Sequence, residues 1–292
     1  MSLSLPQRLQ YLAWTVGTLW TNRDRCCPGC NGTDTCLIKR KYLFTSLWQC
    51  ASCDLRFRVP KDDPQRSMEF YQEEYTQEFT TDCPSDTVLA SLIATKFADA
   101  KKDFRSYVEV LRAAGLRPGD AILDFGCSWG YGSWQLREAG FNVYSYEISK
   151  PRALYAKDKL SCNIVESVDG LRGRLKCVFS AHVIEHLADP NLLWNVGSTT
   201  LEDGGLIVCF CPNGDPLLEG IYGASRYHHL WGKVHPLLVT SNFLQKSSER
   251  HGYRARVYRS PYKLTEIAAN GADDNSYGSE LCLIAARAKR VL

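Results

Sequence analysis

Apolar residues fall into two rhythms along this chain. From residue 120 onward, short near-continuous apolar runs alternate with stretches whose apolar residues return every three or four positions. The runs predict strands at 121–125, 142–147, 177–181, 206–211, 253–258 and 281–286. The stretches predict helices at 129–139, 150–160, 190–200 and 240–251, with Gly140 ending the first and Ser149 and Pro151 opening the second. Such alternation predicts a doubly wound α/β sheet, whose ligands sit at the carboxyl ends of its strands.

Upstream the helical rhythm dominates. Val88, Leu92, Ile93, Phe97, Phe104, Tyr107, Val108 and Leu111 predict one long amphipathic helix or two between 86 and 114, stopped by Gly115 and Pro118. Before them come an aromatic set, Phe70, Tyr71, Tyr75 and Phe79, and a polar linker at 61–66. Leu9, Leu12, Trp14, Val16 and Leu19 predict a further helix at 6–20. The chain therefore divides into an N-terminal helix and ribbon (1–60), a helical linker or cap (61–118) and the α/β domain (119–292).

The 13 cysteines change this picture at one place. Cys127, Cys177, Cys209 and Cys282 sit in apolar runs, where a free thiol behaves as a small hydrophobe. Cys27, Cys30, Cys50 and Cys53 instead form two Cys-x-x-Cys pairs separated by 19 residues. That is the spacing of a four-thiolate zinc site, with 36–44 and 55–59 as strands of a zinc ribbon. Cys26 could replace Cys27, and Cys36 is spare. With all four positions filled by thiolates, the zinc is structural and stabilises a segment too small to fold alone.

The net charge of +3, with 45% apolar and 23% charged residues, is that of an ordinary globular chain and does not by itself indicate a nucleic-acid partner. Neither a bilayer-length apolar run nor a signal peptide is visible, which makes the cytoplasm the expected compartment and membrane association unexpected.

The chemistry concentrates at 121–132, AILDFGCSWGYG, a strand entering a glycine turn and then a helix. Gly126, Gly130 and Gly132 allow a sharp turn with amides close to a ligand, and the helix start favours an anion. A dinucleotide fingerprint would place glycine where Ser128 and Tyr131 stand, and no Gly-Lys-Ser/Thr closes the turn as in a P-loop. Glu147, ending the second strand, can accept both hydrogen bonds of a ribose diol.

ILDFGCSWGYG with Glu147, FSAHVIEHLADP at 179–190 and LEDGGLIVCFCPN at 201–213 together resemble the ordered motifs of class I S-adenosylmethionine-dependent methyltransferases over roughly 105–290. The resemblance implies a Rossmann-like methyltransferase sheet and S-adenosylmethionine as cofactor. It puts Asp124 and Gly126 under the methionine end, Cys127, Ser128 and Gly130 in the turn, Glu147 on the ribose and Ile148 on the adenine. Glu166 competes with Asp169 for the acidic position near the adenine amino group, and His182 is grouped with the cofactor-binding residues. Cys177, opening the strand at 177–181, departs from the aspartate that commonly opens that family's fourth strand. A zinc segment ahead of such a domain is similar to a bacterial-type subgroup acting on sugars and other small molecules.

Five of six histidines lie between the strand at 177–181 and the last helix, at 240–251. His182 and His186, beside Glu185, read as hydrogen-bonded support of a loop, while His228 and His235 are the candidate bases. Residues 213–236, rich in glycine, tyrosine and tryptophan, read as a lid over a small-molecule acceptor such as a sugar or sugar nucleotide. Lys39, Arg40 and Lys41 among aromatics support an alternative, an RNA methyltransferase gripping nucleic acid with the ribbon. A non-catalytic adapter retaining the fold is the third reading. The histidines bear only on the enzymatic ones.

Overall fold

A computed structural model of the protein describes residues 24–41, 45–62, 82–232, 234–273, 275 and 277–287, except the side chains of 225, 226 and 228. The expected helix at 6–20, the aromatic set at Phe70, Tyr71, Tyr75 and Phe79, and Tyr42 and Phe44 of the ribbon lie outside the described residues.

Two sheets form among the described residues. The larger is built from β4 (Ala121–Phe125), β5 (Asn142–Tyr146), β6 (Leu175–Ala181), β7 (Leu201–Pro212), β9 (Tyr253–Arg259) and β10 (Glu280–Arg287), in the order β5-β4-β6-β7-β10-β9. β4 pairs in parallel with β5 and β6, and β6 with β7, while β10 runs antiparallel to both β7 and β9. The chain steps outward from β4 to β5 and then returns to β4's other side as β6. This reversal opens a crevice at the carboxyl ends of β4 and β6.

Both faces of this sheet are covered, which explains why its strands read as continuous apolar runs. Along β7, Ile207, Cys209 and Cys211 enter one core with Trp194 of α5 (Asn191–Thr200) and Phe243 of α7 (Ser241–Arg250). Val208 and Phe210 enter the other, with Tyr107 and Leu111 of α2 (Arg105–Ala113) and Leu136 of α3 (Tyr131–Glu138). A third cluster joins Leu89 of α1 (Asp86–Ala94) to Trp129, Trp134 and Leu160 of α4 (Lys150–Leu160).

The expected helical stretch at 86–114 is two helices. Lys96, Phe97 and Asp99 all take positive φ between them, and Phe97 is driven into the aromatic cluster, 5.4 Å from Trp134 and 6.1 Å from Trp129 between ring centroids. The strand predicted at 206–211 starts earlier, at Leu201, and carries a bulge that includes Gly204 and Gly205. Pairing jumps from Leu175↔Leu201 to Cys177↔Leu206, so residues 202–205 loop out. Ser149 does stand at the N-cap of α4, but its hydroxyl makes no capping bond.

The smaller sheet, β1-β2-β3-β8, contains β1 (Thr35–Lys41), β2 (Thr45–Cys50), β3 (Arg56–Val59) and β8 (Leu237–Leu238). β8 lies in the α/β part of the chain and pairs antiparallel with β3. Cys27, Cys50, Cys53, Leu55 and Phe57 share one core with α5 and α7. The ribbon is thus packed into the α/β body. Thr240 Oγ1 donates to Asp54 O (3.1 Å) and Arg250 Nη2 to Gly29 O (2.6 Å) across this seam.

Candidate functional site

The glycine turn sits at the crevice. Gly126, Ser128 and Gly130 adopt left-handed φ of 86°, 53° and 89°. The Gly126 and Cys127 amides donate to Tyr146 O at 2.8 and 3.0 Å, which ties the turn to the end of β5. A Cβ at Gly126 would lie 2.4 Å from Val183 Cγ2, and one at Gly130 2.7 Å from Cys162 Sγ. Both glycines are therefore required by conformation and by packing. Gly132 is helical, and its smallness admits Phe104, whose Cε2 lies 2.5 Å from the place of a Cβ.

Glu147 faces this turn from the end of β5. Its Oε2 accepts the Ser128 amide and its Oε1 the Ser149 amide, both at 2.8 Å. Burial raises its pKa, against the pull of these amides. Each carboxylate oxygen has a second lone pair, so the group can still accept from a diol. Asp124 lies beneath, buried, and accepts from Ser133 Oγ at 2.6 Å, which in turn accepts from Ser145 Oγ at 2.8 Å. Burial pushes the Asp124 carboxyl up to about 7. Ser128 Oγ, Trp129 Nε1 and Ser149 Oγ are buried around the turn with no hydrogen-bond partner among the described residues. Unanswered polar atoms grouped at a crevice suit a polar ligand. Cys127 is buried, Ile148 is partly exposed beside Glu147, and Glu166 and Asp169 are exposed just beyond Ile164, which bridges to Ser145.

Two contributors gave no sequence signal. Lys102, in the connection between α1 and α2, stands 4.7 Å from the Tyr131 ring, and burial together with Arg152 lowers its ammonium to about 8. Glu280, at the start of β10, organises the floor of a second space. His182 Nε2 lies 2.9 Å from Glu280 Oε2, Tyr107 OH donates to the same oxygen at 2.7 Å, and Tyr262 OH donates to Oε1 at 2.5 Å. Burial opposes charge on His182, but Glu185 and Glu280 outweigh it and raise its pKa to about 10. His182 has a left-handed φ of 57° at the end of β6.

That second space is a cavity of about 230 Å³ lined by His182, Asn213, Leu218, Tyr222, Tyr227, Leu230 and Glu280. Its roof is α6 (Leu217–His229), so the segment read as a glycine-rich lid is largely helical, interrupted at Gly223 with φ 80° and ψ 152°. The helix is anchored where Tyr227 is buried: its hydroxyl donates to Gly214 O at 2.9 Å and accepts from Arg56 Nη1 of the ribbon at 2.5 Å. Lys39 pairs with Glu219, and Lys41 Nζ donates to Trp231 O at 2.9 Å. The two lysines of the basic strand are thus engaged with the lid region, and Arg40 is exposed.

Of the candidate bases, His228 lies on α6 with its side chain outside the described residues. His235 follows α6 and stacks edge-on against His186, ring centroids 4.5 Å apart, with Nδ1 3.2 Å from Leu230 O. His182 Nε2 lies 3.2 Å from Tyr107 OH, and His186 Nδ1 lies 2.9 Å from Val234 O.

The four cysteines converge. Cys27 and Cys53 sulfurs are 3.4 Å apart, Cys30 and Cys50 sulfurs 3.5 Å, and Gly29 N–H points at Cys27 Sγ at 3.4 Å. Four thiolates about 2.3 Å from one zinc ion would lie about 3.8 Å apart, close to these separations. Cys27 rather than Cys26 belongs to the cluster, and Cys36 is exposed away from it.

A family model described as "Methyltransferase domain" matches residues 98–254. An uncharacterized methyltransferase of Anoxybacillus flavithermus is 32% identical over 112 residues, covering 36% of this chain and 53% of that protein; the chain spans about half the length of the curated relative it matches. Among solved structures, a Haloferax volcanii chain from a complex between the Trm112 methyltransferase activator and a methyltransferase is 13% identical, covering 71% of this chain and 98% of that one, with a TM-score of 0.49. A TehB-like SAM-dependent methyltransferase from Corynebacterium glutamicum is 20% identical, covering 78% and 100%, with a TM-score of 0.47.

Proposed function

This chain belongs to the methyltransferase-domain family, and from that premise we propose that it transfers a methyl group from S-adenosylmethionine to a small molecule, such as a sugar or sugar nucleotide, held under α6. The observation that carries the reading is Glu147, fixed by the Ser128 and Ser149 amides beside the Gly126–Gly130 turn at the point where the strand order reverses. The cofactor supplies a methyl group on a cationic sulfur. Glu147 receives the ribose diol, Ile148 offers an apolar face to the adenine, and the Ser128 and Ser149 hydroxyls, without partners among the described residues, gain one. Lys102, set over the Tyr131 ring, is the counter-ion for the cofactor's carboxylate.

Alignment of donor and acceptor is the protein's main contribution, and such positioning is worth roughly 7–11 kcal/mol. The Tyr107–Glu280–Tyr262 set fixes His182 at the wall shared with the acceptor cavity. His228 and His235 are the candidates for taking a proton from the acceptor. In the same reading the four cysteines hold a structural zinc ion.

Calorimetry with S-adenosylhomocysteine tests the cofactor assignment. Glu147→Ala is expected to weaken binding at least about 10-fold, the worth of hydrogen bonds to a charged group. Absence of measurable heat in folded wild-type protein at millimolar ligand would sink the reading.

A further inference from the structure

We propose that Glu185, His186 and His235 form a divalent-metal site, separate from the cysteine cluster and adjoining the acceptor cavity. One potential ligand atom from each lies within 4.8 Å of the other two. His186 Nε2 is 4.0 Å from Glu185 Oε1. Neighbouring ligands on a cation with bonds of 2.0–2.1 Å lie about 3.0–3.4 Å apart, a contraction that side-chain rotation can supply.

The hydrogen bonding fixes the chemistry of the two rings. His186 Nδ1 is 2.9 Å from Val234 O and His235 Nδ1 3.2 Å from Leu230 O. A carbonyl can only accept, so each ring donates from Nδ1, and the neutral tautomer carries its lone pair on Nε2. A ligating histidine usually has its far nitrogen held in just this way. A simple hydrogen-bonded triad does not account for Glu185. Its side chain is only 3% exposed, and Oε2 has no hydrogen-bond partner among the described residues. His182 answers Oε1 from 3.5 Å, but a second buried oxygen without a donor is costly unless a further cation answers it.

Two imidazoles and one carboxylate suit a first-row divalent cation such as Mn²⁺, Fe²⁺, Co²⁺ or Zn²⁺, with coordination positions left over. Those positions are placed for use. His182, 3.5 Å from Glu185 Oε1 through Nδ1, lines the acceptor cavity, and so does Leu230, whose carbonyl holds His235. Resting on the methyltransferase reading, the site selects an acceptor that presents oxygen donors to the cation; with the cation bound His235 is a ligand, which leaves His228 as the candidate base.

The test is a titration of zinc-loaded full-length protein with Mn²⁺, followed by loss of the free-ion EPR signal, beside zinc content by elemental analysis. Mn²⁺ is the probe because thiolates compete poorly for it. Uptake of one Mn²⁺ per chain is expected, or two zinc ions per chain if zinc already fills the site. Glu185→Gln and His235→Gln should each weaken Mn²⁺ uptake at least 10-fold, or return zinc to one per chain. His235 is the less buried of the two, which keeps the test open if Glu185→Gln does not fold. One zinc per chain with no Mn²⁺ uptake at millimolar concentration, or uptake unchanged in a folded variant, overturns the proposal. Metal uptake without S-adenosylhomocysteine binding would leave this site standing and remove the methyl-transfer reading; the converse result would do the reverse.

Discussion

At the scale of single residues, Gly126 and Asp124 carry the sharpest consequences. In Gly126→Ala a Cβ would meet Val183 Cγ2 at 2.4 Å in a backbone with φ of 86°. Overpacking and left-handed strain together predict a loss of about 2–4 kcal/mol, read from denaturant unfolding. An unchanged midpoint would mean that the turn repacks freely. Asp124 sets a pH dependence. Its folded-state pKa of about 7 lies above the ordinary value of 3.8, so the native state holds the proton more tightly than the unfolded chain. Its contribution to stability is full below about pH 4 and is lost as pH rises to about 7, by an amount on the order of 4 kcal/mol at most. Asp124→Asn, which can still accept from Ser133, should show a flatter stability profile between pH 4 and 8 than wild type. Parallel profiles would remove Asp124 as the source.

Elements explain what the sequence disclosed and what it withheld. The α4 and β4 boundaries were legible to the residue because periodicity and flanking signals are local: Ser149 before α4 and Pro151 in its first turn, Gly126 after β4. Glu147 was legible for the same reason, as an acid closing an apolar strand. Glu280 was not, since an acid at the start of β10 looks like any solvated strand end until Tyr107 and Tyr262, from distant segments, converge on it. β8 is two residues long and exists only because β3 lies beside it. α6 read as a lid of glycines and aromatics, yet its helix is held by burial of Tyr227 against Leu47 and Leu238. Arg56, on Tyr227, and Lys39, on Glu219, are the ribbon's polar grips on that helix. Arg56→Met should therefore speed amide hydrogen exchange across Leu217–His229 several-fold while S-adenosylhomocysteine affinity stays within about 2-fold, because the glycine turn is on other elements. Equal exchange in both proteins would show that packing and the Lys39–Glu219 pair hold α6 without Arg56.

Across the whole molecule, the cysteine ribbon and the methyltransferase sheet share one core through Leu55, Phe57, Phe243 and Trp194. Removing the ion proposed for the four cysteines should lower the melting temperature of the entire body, by 5 °C or more, rather than melt the ribbon alone. Differential scanning calorimetry with and without a chelator reads this directly, and a sheet transition that stays in place would show that the two parts unfold independently. Their merger was hidden in the sequence, where the change of composition near residue 60 suggested a joint between separate modules.

The pairing of β3 with β8 also imposes an order on synthesis. Val59 leaves the ribosome long before Leu238 is made, and at roughly 5–20 residues per second the interval is on the order of ten to thirty seconds. Throughout it the nascent ribbon carries an open β3 edge, a template for wrong strand partners. The cysteine pairs are complete by residue 53, so an early ion could hold the ribbon's shape during translation, but closure of its edge awaits the arrival of the chain's last third. A chain released before residue 237 should consequently aggregate more readily than one released after 250.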